Sequence, residues 1–300
     1  MSQTDTVEQA SLNALRSTCR QAGIDARDAE PIRFSENAIY RLPYGVVARV
    51  SRVGQLPAAA KEVQVARWLE GAGVPAVRTL PDVEQPVEAE GRAVTFWREL
   101  PPHRPGTAAD VAALLRKLHG LPPPEHFTLP ALDPFVRLTD RIDQARMYTA
   151  EERQWLRERL ADLERGYAAL PSGLPACVVH GDAWIGNVLV TEDGRAVLAD
   201  FERSAFGPPE WDLVSMAVKY ATLGGISKED YAAFIEVYGY DVMTWEGYQV
   251  LRDIRELRLV TMAAQVGMED DGVRGEAAVR LAAIRGESGP RPWHWKAVSR

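Results

Sequence analysis

A single stretch of this 300-residue chain constrains its fold more than any other. It contains Asp182 and Asn187, and Asp200 follows on the next predicted hairpin. An apolar run leads into the stretch and an alternating run leaves it, which predicts a strand, a tight loop and a second strand. The turn signal at residues 192–194 predicts a hairpin whose returning strand ends at Asp200. Two carboxylates and one amide are therefore expected in one small volume.

Phosphoryl transfer uses this set of groups. One carboxylate orients and deprotonates the attacking hydroxyl, while an amide oxygen and a second carboxylate hold Mg²⁺ on the phosphates. The order Asp, four residues, Asn and then Asp on a hairpin matches the catalytic loop of kinases. His180-Gly181-Asp182 stands for His-Arg-Asp, and Asp200-Phe201-Glu202 stands for Asp-Phe-Gly. Each residue alone is an ordinary turn former, so the prediction depends on the complete order.

On these residues the chain resembles the aminoglycoside phosphotransferase family, the small-molecule branch of the protein-kinase-like fold. The resemblance extends from about Phe34 to the helix near Val260. It implies an α+β bilobal fold with a small antiparallel-sheet N-terminal lobe and a mostly helical C-terminal lobe. We expect the nucleotide-binding lobe at residues 1–100, a hinge near 97–102, and the catalytic and acceptor-binding lobe at 103–300. The length of the chain also favours two lobes over one core.

Apolar periodicity and turn residues give the elements of the first lobe. A helix is predicted at residues 7–21 and another at 58–70. Strands are predicted at residues 31–34, 38–42, 45–51, 77–79, 87–90 and 94–97. The proline-rich residues 101–106 are predicted to form an exposed linker.

The resemblance also assigns nucleotide-binding residues. Arg49 occupies the strand position where the family presents a lysine to the α and β phosphates, and its planar fork must pair differently from an ammonium group. Glu62 is the candidate ion-pair partner of Arg49. The alternatives are that Arg49 is a surface residue, that Arg52 takes its place, and that Glu62 is a solvated residue on a helix face.

Two further segments are expected around the nucleotide. The turn Ser35-Glu36-Asn37 would cover the phosphates without the usual glycines, although it can also be a simple hairpin turn. At the hinge, the carbonyl of Arg98 and the amide of Leu100 would bind the base, and Trp97 would close the back of the pocket.

The second lobe is predicted to be mostly helical. Helices are expected at residues 107–119, within 132–148, and at 149–170, 228–238, 249–266 and 275–284, and residues 207–213 are expected to open another helix. His119 is assigned to a helix-terminus contact. By resemblance, Asp212 would hold the catalytic loop through its backbone amides. Candidate acids for an acceptor are Asp253, Glu256, Glu269, Asp270 and Asp271.

Those acids can equally be ordinary surface residues. Asp253 and Glu256 lie in an arginine-rich helix, where Arg252, Arg255 or Arg258 can neutralise them.

Composition limits the partners. A formal net charge of −7 argues against nucleic acid and is compatible with a cationic acceptor. No apolar run is long enough to span a membrane and the start is polar, so a cytoplasmic protein is expected. The two cysteines are far apart in sequence and are expected to be buried thiols. A monomer or a homodimer is expected.

The expected function is Mg²⁺-dependent transfer of the γ-phosphate of ATP or GTP to a hydroxyl of a small molecule. Asp182 would deprotonate that hydroxyl, and Asn187 and Asp200 would bind Mg²⁺. The family resemblance implies an aminoglycoside or another antibiotic as acceptor, hence a resistance-type kinase. The alternatives are a metabolic kinase for an amino alcohol, amino acid or sugar, and a nucleotide-binding pseudokinase.

Overall fold

The computed structural model describes residues 3–34 and 37–298, with side chains from residue 7 onward. The chain divides into two compact units. Unit 1 comprises Met1–Gly106, Leu121–Leu129 and Ile185–Ser204, and unit 2 comprises Thr107–Gly120, Pro130–Trp184 and Ala205–Arg300. Antiparallel sheets dominate unit 1 and helices dominate unit 2, which confirms the predicted α+β class.

Unit 1 contains a five-stranded antiparallel sheet in the order β1-β2-β3-β5-β4. Its strands are β1 (Glu30–Phe34), β2 (Ala38–Leu42), β3 (Val46–Val53), β4 (Val87–Ala89) and β5 (Arg92–Arg98). Helix α1 (Gln3–Ala22) buries Ala14, Leu15 and Cys19 in the apolar core of this sheet. Helix α2 (Leu56–Gly71) follows β3 and buries Glu62 with its apolar face. Both helices were predicted from the sequence, and all five strands lie within two residues of their predicted bounds.

The predicted strand at residues 77–79 is wrong. Its backbone hydrogen bonds are divided between two partners: Val77 N donates to Leu198 O, and Arg98 N donates to Arg78 O. Only isolated bridges result, between Ala76 and Leu198 and between Thr79 and Trp97. A segment that alternates between two neighbours forms no continuous ladder with either of them.

The proline-rich segment at residues 101–106 is more than the predicted linker. His103–Pro105 forms strand β6, whose residues are exposed and which pairs with β8 (Val188–Thr191). Strand β8 also pairs with β9 (Ala196–Leu198), so β6 lies at the edge of a three-stranded sheet. Proline lacks an N–H donor, and an edge strand is the position where a sheet tolerates it.

Unit 2 is built from seven helices among the described residues. They are α3 (Ala108–His119), α4 (Leu138–Gln144), α5 (Ala150–Ala168), α6 (Glu210–Ala221), α7 (Lys228–Tyr238), α8 (Tyr248–Gly267) and α9 (Asp271–Ile284). Strands β7 (Cys177–Val179) and β10 (Ala205–Gly207) pair antiparallel in the same unit. Of the predicted helical region 132–148, only α4 is helical.

The starts of α3 and α5 agree with the predicted helices at residues 107–119 and 149–170. Thr107 caps α3 and Thr149 caps α5, and each forms a capping box with the acid three residues later. These reciprocal hydrogen bonds satisfy backbone N–H groups that have no partner inside the helix. Among the described residues, every helix is too short or too polar to span a lipid bilayer.

The reactivity of the two cysteine thiols tests whether these side chains are buried. Cys19 and Cys177 are free and buried, and burial raises their pKa values to about 11 and about 12. Burial disfavours the thiolate, so both side chains should stay protonated in the native protein at pH 8. We expect slow reaction with a chromogenic disulfide reagent at this pH, and rapid reaction of two thiols per chain in denaturant. Rapid reaction of either thiol in native protein would contradict the buried placement.

Candidate active site

A guanidinium group in unit 1 has three carboxylates as neighbours. Arg49 on β3 donates from Nη1 to Glu62 Oε1 at 2.5 Å and from Nη2 to Glu202 Oε2 at 2.9 Å. Asp200 Oδ1 lies 3.6 Å from Nη1. With its amide oxygen turned toward the guanidinium, Asn37 accepts from Nη2 at 2.7 Å and from Nε at 3.0 Å. The predicted pair of Arg49 and Glu62 is therefore present.

The neighbouring carboxylates stabilise the charged form of Arg49. Burial disfavours a charged Arg49, but the carboxylates of Glu62, Asp200 and Glu202 outweigh that effect and raise its pKa. Burial also raises the pKa of Glu62 to about 7, against the attraction of Arg49. The competing candidate, Arg52, is exposed toward the end of β3. Arg49 is thus the inward cation of this strand.

Glu202 was not predicted as a partner of Arg49. The only sequence signal was that a glutamate stands where kinases have the glycine of Asp-Phe-Gly. The structure shows that this side chain reaches the guanidinium directly.

The conformation and burial of Asp200 suit a carboxylate that binds a cation. It follows β9 with a left-handed backbone, φ +69°, a conformation that Asp adopts more readily than most residues. Its Oδ1 is inaccessible to solvent and accepts no hydrogen bond from the described residues. Such a buried oxygen without a donor is costly unless another group compensates it.

Asn187 lies on the adjacent segment, where its carbonyl accepts from Ala199 N at 3.0 Å. One amide oxygen and one carboxylate are hard donors that suit Mg²⁺, which usually keeps water and phosphate oxygens around few protein ligands. No group of three or more His, Cys, Asp or Glu in the described part of the chain is placed to hold a metal ion. The donor set therefore fits Mg²⁺ held jointly with phosphates.

A cavity of about 1230 Å³ in unit 1 collects most of the predicted nucleotide residues. Its lining includes Asn37, Arg49, Glu62, Trp97, Arg98, Leu100, Asn187 and Asp200. Trp97 is buried and donates its indole N–H to Thr95 Oγ1 at 2.9 Å, which fixes the ring. Ser35 and Glu36 lie outside the described residues.

Asp182 belongs to unit 2, in the loop that follows β7. Asp212 at the start of α6 accepts from the backbone N–H of His180 at 2.7 Å and from that of Gly181 at 2.8 Å. The predicted role of Asp212 in holding this loop is therefore confirmed. The backbone immediately before Asp182 is anchored to a fully buried carboxylate.

Asp212 is itself supported from α3. Burial would raise its pKa, but the hydrogen bond with His119 and the backbone N–H of His180 outweigh burial and lower the pKa. His119 Nε2 lies 3.0 Å from Asp212 Oδ2, and His119 Nδ1 lies 2.8 Å from the hydroxyl of Tyr238. The predicted helix-terminus contact of His119 is thus wrong, because its ring bridges to α6 and α7.

The acids of α8 are neutralised inside unit 2. Asp253 pairs with Arg159 at 2.6 Å and with Arg252 at 2.8 Å. Glu256 is buried and receives two hydrogen bonds from Arg291, at 2.7 and 2.6 Å. Of the predicted partners, Arg252 is confirmed, whereas Arg159 and Arg291 were missed because they are distant in sequence.

The remaining candidate acids lie near the start of α9. Asp270 caps this helix through Gly272 N at 2.8 Å, and Asp271 pairs with Arg274 at 2.9 Å. Glu269 is exposed. Arg255 and Arg258 were the other predicted partners of the α8 acids. Arg255 instead donates to the carbonyl of Trp211, and Arg258 donates to the carbonyl of Pro134.

Solved structures of small-molecule kinases share this fold. The amicoumacin kinase hAmiN, in complex with AMP-PNP, Ca²⁺ and Ami, is 14% identical with a TM-score of 0.69, over 98% of this chain and 97% of that one. A choline/ethanolamine kinase family protein from Mesorhizobium loti is 19% identical with a TM-score of 0.62, over 93% and 95%. An aminoglycoside-3'-phosphotransferase of type VIII is 21% identical with a TM-score of 0.62, over 82% and 98%.

Fold and site together are those of a phosphotransferase with a kinase-like fold. The chain belongs to the phosphotransferase enzyme family, whose profile matches residues 29–254, more than half of its length. This confirms the resemblance seen in the catalytic segment. A search of curated protein sequences returned no match.

Proposed function

We propose that this chain transfers the γ-phosphate of ATP or GTP to a hydroxyl of a small molecule with Mg²⁺ as cofactor. The observation that carries the proposal is the arrangement around Arg49. A cation held by Glu62 and Glu202 lies beside Asp200, whose Oδ1 accepts no hydrogen bond from the described part of the chain, in a cavity large enough for a nucleotide.

Each nucleotide-site residue has a proposed role. Arg49 binds the α and β phosphates, and Glu62 keeps its guanidinium oriented. The turn Ser35-Glu36-Asn37 covers the phosphates, in line with the position of Asn37 at the guanidinium. The hinge groups of Arg98 and Leu100 bind the base, and the fixed ring of Trp97 closes the pocket behind it.

Asn187 and Asp200 would hold Mg²⁺ through their oxygens. When bound, the ion would supply positive charge that stabilises the phosphate oxygens during transfer. The amicoumacin kinase structure contains a nucleotide analogue together with a divalent cation, which supports this assignment.

Asp182 accepts the proton of the acceptor hydroxyl as that oxygen attacks phosphorus. Its loop is suited to this task because Asp212 fixes the two preceding backbone amides. A base held in one orientation removes the proton without further reorganisation of the protein.

The acceptor that family membership favours is an aminoglycoside or another hydroxylated antibiotic, which would make the chain a resistance-type kinase. Two solved relatives with this fold are named for such compounds, amicoumacin and aminoglycosides. The net charge of −7 is compatible with a cationic acceptor.

The pairing of the α8 acids favours a second candidate, a metabolic kinase for an amino alcohol, amino acid or sugar. Asp253 and Glu256 are neutralised by Arg159, Arg252 and Arg291, so these two acids are not available to grip a polyamine. A smaller or less charged acceptor does not need these acids for binding. One solved relative is a choline/ethanolamine kinase family protein.

The test is nucleotide consumption by the purified full chain with Mg²⁺ and ATP or GTP. The acceptor panel contains aminoglycosides, other hydroxylated antibiotics, amino alcohols, amino acids and sugars, and the Asp182→Asn protein is the blank. Acceptor-dependent turnover that the blank lacks would support the proposal and name the acceptor class. Tight nucleotide binding without turnover on any acceptor would favour the pseudokinase alternative.

Replacing Arg49 with Lys is expected to weaken Mg²⁺-nucleotide binding by about ten- to a hundredfold, the scale of one or two charge-assisted hydrogen bonds. A single ammonium group cannot reach Glu62 and Glu202 from the two ends of a planar fork. Calorimetric titration measures the change. The matched control is Arg52→Lys on the same strand, for which binding should be unchanged; equal weakening in both variants would argue against the assigned role of Arg49.

A further inference from the structure

Arg255 on α8 lies directly beside the proposed base. Its guanidinium carbon is 4.0 Å from the centroid of the Trp211 ring, and Nη1 is 3.6 Å from Asp182 Oδ1. Nη2 donates to the carbonyl of Trp211 at 2.9 Å and reaches the carbonyl of Gly181 at 3.4 Å. The indole N–H of Trp211 donates to the same Gly181 carbonyl at 3.1 Å. Arg255 and Trp211 therefore both contact the loop backbone at Gly181, and Arg255 also contacts the Asp182 side chain.

The chemistry of a guanidinium explains this placement. A planar guanidinium can stack on an indole and still donate from its edge, which an ammonium group cannot do with the same geometry. The Arg255 side chain is only 11% exposed, whereas the Asp182 side chain is 40% exposed. The arginine is thus held by its ring contact and by backbone carbonyls, while the carboxylate beside it is partly in solvent and more easily reoriented.

We infer that Arg255 is a positioning residue. Its guanidinium is stacked on Trp211 and keeps the Asp182 carboxylate oriented toward the reacting hydroxyl. The inference rests on the proposed role of Asp182 as base. Loss of the arginine should lower the rate of transfer, since a carboxylate that samples other orientations is less often in reach of the proton. Nucleotide affinity should be unaffected, because the nucleotide residues belong to unit 1.

Arg258 supplies a matched control on the same helix. It also lies over Trp211, with its guanidinium carbon 5.9 Å from the ring centroid, and it donates to the carbonyl of Pro134 at 2.7 Å. Arg258→Ala therefore removes a stacked arginine from the same tryptophan. A general loss of packing around Trp211 would affect both variants alike.

The experiment compares Arg255→Ala, Arg255→Lys and Arg258→Ala in the full chain. The substrates are Mg²⁺ with ATP or GTP and the acceptor found in the panel, and water serves as acceptor in a parallel assay of phosphate release. For Arg255→Ala we expect kcat to fall about a hundredfold with an unchanged KM for nucleotide. Added ethylguanidinium should restore part of the rate. Arg255→Lys, which keeps the charge, should retain more activity than Arg255→Ala, and Arg258→Ala should resemble the native protein.

Coupling to Asp182 separates positioning from a merely structural role. If Arg255 acts through Asp182, Arg255→Ala should cost little further activity in an Asp182→Asn background. Equal losses for Arg255→Ala and Arg258→Ala, or independent losses in the double variant, would overturn the inference. If Arg255→Ala has wild-type activity while Asp182→Asn is inactive, the inference about Arg255 is wrong but the proposed base stands. An active Asp182→Asn protein would instead refute the proposed base. If Arg255→Ala fails to fold, Arg255→Lys carries the same comparison.

Discussion

Replacing Asp182 with Asn is expected to lower acceptor-dependent turnover by about 10²- to 10⁴-fold, the range that a positioned general base contributes. Asparagine keeps the size of the side chain but takes up no proton from the attacking hydroxyl. Because Asp182 is 40% exposed and Arg255 keeps its carbonyl acceptors, the fold should survive the change. Steady-state kinetics measure the loss in kcat, and calorimetric titration should show an unchanged dissociation constant for the nucleotide.

Asp143→Asn is the matched control for this experiment. Asp143 is 50% exposed in the same unit and pairs with Arg157 at 2.8 Å on the surface. Exposed pairs contribute little, so this variant should retain wild-type turnover and stability. If Asp182→Asn folds, binds nucleotide and turns over at the native rate, the role of Asp182 as base is wrong.

The parts of the site that could be predicted from sequence are those encoded by local order. The order of Asp182, Asn187 and Asp200 predicted a loop followed by a hairpin, and the hairpin is present as β8 and β9. The alternation of β3 identified Arg49 as the inward cation, and its partner Glu62 lies one short connection away on α2. Few residues separate Arg49 from Glu62, so local geometry decides where these two side chains meet.

The parts that sequence reasoning missed depend on contacts between distant segments. Arg255 reaches Asp182 from α8, and Arg291 reaches Glu256 from the C-terminal tail. Neither pairing has a periodicity or a motif, because packing of the helices brings the partners together. The His103–Pro105 strand was missed for another reason: proline is a sign of a linker unless an edge position is available, and the sequence does not reveal edges.

Replacing Asp200 with Asn should reduce turnover by about a thousandfold or more, at least as much as the change at Asp182. The substitution removes the only carboxylate of the proposed Mg²⁺ donor pair and leaves two neutral amide oxygens. Arg49 retains Glu62 and Glu202 as ion-pair partners, so no buried charge is left uncompensated and the fold should persist. The measurement is turnover as a function of Mg²⁺ concentration at fixed nucleotide and acceptor.

The dependence on Mg²⁺ distinguishes the roles of the two aspartates. Asp200→Asn should shift the Mg²⁺ midpoint upward and recover part of its rate at high Mg²⁺, because weaker binding is offset by mass action. Asp182→Asn should keep the native Mg²⁺ midpoint, and its turnover should be reduced by the same factor at every Mg²⁺ concentration, because the variant is impaired in proton transfer. The control for the charge change is Glu192→Gln, an exposed acid in the turn between β8 and β9, which should leave the titration unchanged. A native midpoint and a native rate in Asp200→Asn would show that Asp200 does not belong to the metal site.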